Sequence, residues 1–265
     1  MATTTMETPT FTMGGVASAT FGSIGRNFAT FALLALLAEV PQQGLVMYMN
    51  KFQVGALQGG LNNPAALGTF FATTMATSFL TIIMAYVLQA AIVYGTVTDL
   101  SGRRASFGSS LSTALKVLLP LIGLSIVSTL GVMLGLVLLV VPGIILALGW
   151  AIAVPVRVIE RTGVFASLSR SWTLTSGYKG TIFLLFLVFT LASLLFSFLG
   201  QSMAGVFSLT RPAQPTELPI LYFVYFGVIQ AVSAMVGGAG VATMYYQLRA
   251  IKEGIAPEKL AAVFD

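Results

Sequence analysis

Apolar positions along this chain fall in long unbroken runs. From Val117 to Val156 there is no charged side chain, and the one helix-breaking pair inside the run is Pro142-Gly143. At about 1.5 Å per helical residue the run extends roughly 60 Å, enough to cross a hydrocarbon core of about 30 Å twice. Further uncharged runs lie at Thr69–Thr98, Gly180–Thr210 and Leu218–Leu248. Backbone amides find no water in hydrocarbon, so only helices and closed barrels span it. These runs do not alternate and far exceed the roughly ten residues of a barrel strand. The pattern predicts an all-α, polytopic membrane helix bundle.

Six spans are expected, at about Asn27–Met49, Thr69–Val97, Leu115–Val141, Gly143–Val156, Gly180–Ser208 and Leu218–Leu248. The first contains Glu39-Val40-Pro41-Gln42-Gln43-Gly44, where its helix is open to a break. The fourth has few residues before Arg157 and crosses fully only if that side chain snorkels. Pro142-Gly143 reads as a turn or as a kink. Phe52–Gly68 reads as a loop that dips into the membrane or caps the bundle.

The cations then orient the spans. Arg26, Arg103, Arg104, Lys116, Arg157, Arg161, Arg170, Lys179, Arg249, Lys252 and Lys259 fall on one side, with only Lys51 and Arg211 on the other. By the positive-inside bias, the first side and both termini are cytoplasmic. Residues 1–14 have no basic side chain and are too polar for a signal peptide, so they read as a flexible cytoplasmic tail. Residues 15–250 form the membrane domain and 251–265 a short cytoplasmic tail.

Composition narrows the chemistry. Hydrophobic residues make up 57% and charged residues 8%, with no cysteine and no histidine. Disulfides, thiolate or imidazole metal sites, and histidine- or cysteine-based catalysis are excluded. The net charge of +5 comes from scattered loop-end cations. That distribution suits anionic headgroups of the bilayer rather than nucleic acid.

Two cytoplasmic connections look alike. Asp99-Leu100-Ser101-Gly102, with Ala105-Ser106-Phe107 before Lys116, parallels Glu160-Arg161-Thr162-Gly163, with Ala166-Ser167-Leu168 before Lys179. Gly15-Val16-Ala17-Ser18 echoes both. A threefold repeat is inferred, each copy an amphipathic helix followed by a membrane hairpin. In the connection after span four, Phe165, Leu168 and Trp172 share a helical face that would lie flat in the interface.

Arg157, Glu160, Arg161, Arg170, Trp172 and Lys179 are thus candidate headgroup or interface residues, with a purely structural elbow as the alternative. Glu39 is the acid well inside a predicted span and the candidate intramembrane polar site, unless Pro41 ends the helix and leaves it interfacial. Gly131 and Gly135, with Gly237 and Gly238, are candidate helix-packing positions. No cofactor is implied.

Several stretches resemble the bacterial glycerophosphoryl diester phosphodiesterase membrane-domain family. They are Val141-Pro142-Gly143-Ile144-Ile145-Leu146, Trp150, Ala153-Val154-Pro155-Val156, Glu160, Gly163, and Leu168 through Gly177 in the order Leu-Ser-Arg-Ser-Trp-Thr-Leu-Thr-Ser-Gly. Tyr245-Tyr246-Gln247-Leu248-Arg249 with Lys252-Glu253-Gly254 is similar to that family's close. The sequence departs at Gln247, where the family more often has an acid, and at Glu39 beside Pro41, where it is usually apolar. The resemblance implies a multi-pass bacterial inner-membrane protein without the soluble phosphodiesterase domain. A non-catalytic lipid-binding or accessory component is expected, with a partner membrane protein or a second copy as candidate associates. The alternative is a transporter or lipid-translocating protein with a polar pathway near Glu39.

Overall fold

The uncharged runs become helices in the computed structural model, which describes residues 11–58, 63–210 and 220–254. In order they are α1 (Met13–Arg26), α2 (Phe28–Gln58), α3 (Pro64–Leu100), α4 (Phe107–Leu138), α5 (Val140–Gly149), α6 (Ala153–Glu160), α7 (Val164–Thr175), α8 (Lys179–Thr210) and α9 (Ile220–Glu253). Among the described residues, six are long and apolar enough to cross a membrane, counting α5 with α6 as one. No strand occurs among those residues. Most of the two expected tails, residues 1–10 and 255–265, lies outside the described residues, while Thr12 already caps α1 through a hydrogen bond from the Gly15 amide.

Three local readings are decided by geometry. First, α2 passes through Pro41 without ending. Pro41 points outward, so its ring leaves the packed face of α2 undisturbed. Second, the break between α4 and α5 falls at Leu139, whose backbone is extended (φ −159°, ψ 140°). Pro142 then lies in the first turn of α5, where amides have no intrahelical acceptor to lose. The chain therefore turns at Leu139, just before the pair, and α4 and α5 fold back closely: a Cβ on Gly135 would lie 2.9 Å from Gly143 Cα. Third, α1 and α7 form the first and last amphipathic connecting helices, but Arg103–Lys116 does not form a separate one. Its Ser106–Ser109 capping box starts α4 directly, and the helix runs on into the membrane segment.

At the opposite end, Asn63 Oδ1 accepts from the amides of Ala65 and Ala66, and Pro64 follows as the first helical residue. The predicted loop Phe52–Gly68 is therefore largely absorbed into α2 and α3.

Helices α2, α3 and α9 pack on one another, α4 covers α3, and α5–α6 lies against α4. Close approach needs small residues at the crossings. A Cβ on Gly95 would fall 2.5 Å from the Phe31 ring, and one on Gly227 2.9 Å from Val40. Phe31, Ile92, Leu121, Leu124, Tyr245 and Leu248 fill the core. Helix α8 stands at the margin: 6% of its span is buried within the protein, against 39% of the α5–α6 span.

Candidate functional site

The bundle end where α1, α3, α6, α7 and α9 meet gathers most of the described charges. Along α9, Tyr245, Arg249 and Glu253 recur every fourth residue and so share one face. Glu160, at the end of α6, accepts from the Tyr245 hydroxyl (3.0 Å) and pairs with Arg170 of α7 (3.2 Å). Arg170 also pairs with Glu253. Glu253 accepts from Arg249 (2.9 Å), and Arg249 donates to the Tyr245 oxygen (3.0 Å). The five side chains close a ring with two cations and two anions. It clasps α6, α7 and α9, and its charges cancel.

Helix α7 is held from its other side as well. The hydroxyls of Ser171 and Thr175 both donate to the Gly149 carbonyl (2.8 and 3.2 Å), satisfying the C-terminal end of α5. Trp172 lies so close to Gly149 that a Cβ there would sit 2.1 Å from the ring. Above the Trp172 ring, at 3.3 Å from its centroid, sits the Lys179 ammonium. Of the expected face of α7, Phe165 is 74% exposed and Trp172 38%, while Leu168 is buried with Ser167, Ser171, Leu174 and Thr175. Hydroxyls turn inward because each finds a backbone acceptor there, as Ser167 does at Gly163 (2.9 Å). That leaves the Phe165 and Trp172 rings on the outer surface, where the Trp172 indole offers both an apolar face and a polar N–H.

Beside the ring lies a cleft of about 610 Å³ between the end of α3, the start of α4 and the end of α6. Arg103 and Arg104 line it from the α3–α4 connection and Arg161 from the end of α6, with hydroxyls from Thr98, Ser101, Ser109 and Thr113. Arg161 adopts φ 52°, a left-handed backbone that turns the chain sharply between α6 and α7. Glu160 borders the cleft too, but its carboxylate is engaged by Arg170 and Tyr245. Arg104 and Arg161 have no ion-pair partner among the described residues. With the amino end of α4 also at its wall, the cleft favours anions.

The candidates read from sequence therefore separate. Glu160 and Arg170 belong to the ring, Arg161 to the cleft, and Trp172 with Lys179 to the seat of α7. Arg157 stands apart in α6, its Nε and Nη1 buried without an acceptor among the described residues. Glu39 is 7% exposed, in the interior of α2 rather than at a helix end. The packing glycines meet neighbours: a Cβ would fall 2.6 Å from the Trp150 ring at Gly131, 3.4 Å from Phe189 at Gly237 and 3.0 Å from Ile92 at Gly238. Sequence reading missed the shared roles of Tyr245, Arg249 and Glu253, although their four-residue spacing was a usable signal. It also missed Asp99, which pairs at 2.6 Å with Arg26 and holds that guanidinium above its ordinary range.

Fold and site define a polytopic, all-helical membrane protein. No family model, curated protein or solved structure matches this chain.

Proposed function

We propose that this chain is a non-catalytic component of a bacterial inner membrane, with the ring and the cleft on the cytoplasmic side, and that it binds anionic lipid headgroups. It would serve as a lipid-binding or scaffold subunit, within the membrane-domain family its motifs resemble. One observation carries the reading: a cleft of about 610 Å³ lined by Arg103, Arg104 and Arg161, with a wall of hydroxyls. It opens where the membrane-crossing helices end, the depth of lipid phosphates. Guanidinium groups take phosphate oxygens in paired hydrogen bonds, and serine and threonine hydroxyls take those that remain. The acids Asp99, Glu160 and Glu253 are all in ion pairs, which leaves them stabilising the fold rather than serving as bases.

The test is extraction in mild detergent followed by identification of retained lipids by native mass spectrometry. Wild-type protein is expected to carry an anionic phospholipid, and the Arg104→Ala/Arg161→Ala double variant to lose it while staying folded. A wild-type protein that emerges free of lipid would overturn the reading.

A further inference from the structure

Glu39 lies about 16 Å along the helix axis from Phe28, near the middle of a hydrocarbon core of about 30 Å. It does not face lipid. Phe31, Leu34, Ala35 and Glu39 recur at helical spacing on one buried face of α2, with Phe31 meeting Gly95 of α3. Gln42 is one turn further on, its Oε1 buried without a donor. The adjoining Val40 meets Gly227 of α9.

Among the described residues, no cation pairs with Glu39. The helices packed on α2 are α1, α3, α4 and α9. Of their ionisable groups, Arg26 pairs with Asp99, Arg249 and Glu253 pair within the ring that includes Tyr245, and Lys252 sits over Tyr178. Of the groups whose side chains are described, Lys116, Tyr86, Tyr94, Tyr225 and Tyr246 remain, and none hydrogen-bonds to or pairs with Glu39. An ionised carboxylate would add acceptors one turn from an acceptor that is already unused, with no cation to offset its desolvation. A metal ion would need several more oxygens, and no cluster of three acids occurs among the described residues.

We propose that Glu39 is a proton-binding site in the membrane interior. At neutral pH it is the carboxylic acid, and its hydroxyl supplies the donor that Gln42 Oε1 lacks. The site is separate from the arginine cleft and does not depend on the headgroup reading.

Dicyclohexylcarbodiimide, a lipophilic reagent for protonated carboxyls, tests the proposal on the full chain in proteoliposomes at neutral pH. One adduct per chain is expected, mapped by mass spectrometry to Glu39. It should be lost in Glu39→Gln, not formed by a water-soluble carbodiimide, and unchanged by added sodium or potassium. Infrared spectra of the same samples should show a protonated-carboxyl carbonyl band that shifts in heavy water and vanishes in Glu39→Gln. Absence of that band, labelling by the water-soluble reagent, or protection by either cation would each overturn the proposal.

Discussion

At the basic end, Glu160 takes a hydrogen bond from Tyr245 and an ion pair from Arg170, whereas Glu39, within the span of α2, is more deeply buried and has neither. The two carboxylates show what the membrane does to charge. Where the helices leave hydrocarbon, cations and hydroxyls are at hand, and an acid becomes part of a clasp. In the interior the same group has no hydrogen-bond or ion-pair partner among the described residues. There the proposed state is the neutral acid.

The largest effect should come from opening the ring. Arg170→Ala leaves Glu160 and Glu253 without the cation between them, and the detergent-solubilised protein should lose about 2–3 kcal/mol, read as a lowered melting temperature. An unchanged Tm would mean that the ring contributes nothing. Next is Gly149→Ala, whose methyl meets the Trp172 ring. A loss of about 2 kcal/mol is expected, together with faster hydrogen exchange along α7. Tyr245→Phe removes one donor and one acceptor from the ring, for about 1 kcal/mol in the same melt. The smallest change should be Glu39→Gln, within about 0.5 kcal/mol of wild type, because a neutral amide replaces a neutral acid of nearly the same shape. A stabilisation of several kcal/mol would show instead that Glu39 is ionised, since relieving a buried, unpaired charge is strongly favourable.

The spans were legible because hydrocarbon imposes one rule on every residue: uncharged runs of sufficient length become helices. Boundaries were less so. Pro41 did not end α2, because a proline on the outward face leaves the packed face intact. The turn at Leu139 preceded the proline that advertised it. Candidate residues were readable as types but not as partners. Glu160 and Arg170 are ten residues apart, while Tyr245 and Glu253 come from a helix far along the chain, so the spacing along α9 marks its own half of the ring but not the partners across from it. On α7, Phe165 and Trp172 are exposed but Leu168 is buried, a split beyond the reach of the hydrophobic pattern. That pattern ignores the Gly149 carbonyl that draws Ser171 and Thr175 inward. Arg103 and Arg104 counted only as charge for orientation, since the cleft exists only once α3, α4 and α6 are brought together.

The most direct test of headgroup binding is a competition. Wild-type protein and the Arg104→Ala/Arg161→Ala variant would be equilibrated with equal amounts of phosphatidylglycerol and phosphatidylcholine, and the bound lipid counted by native mass spectrometry. Wild type should hold the anionic lipid in clear excess and the variant should hold both alike. Equal binding of the two lipids by wild-type protein would contradict an anion-selective cleft.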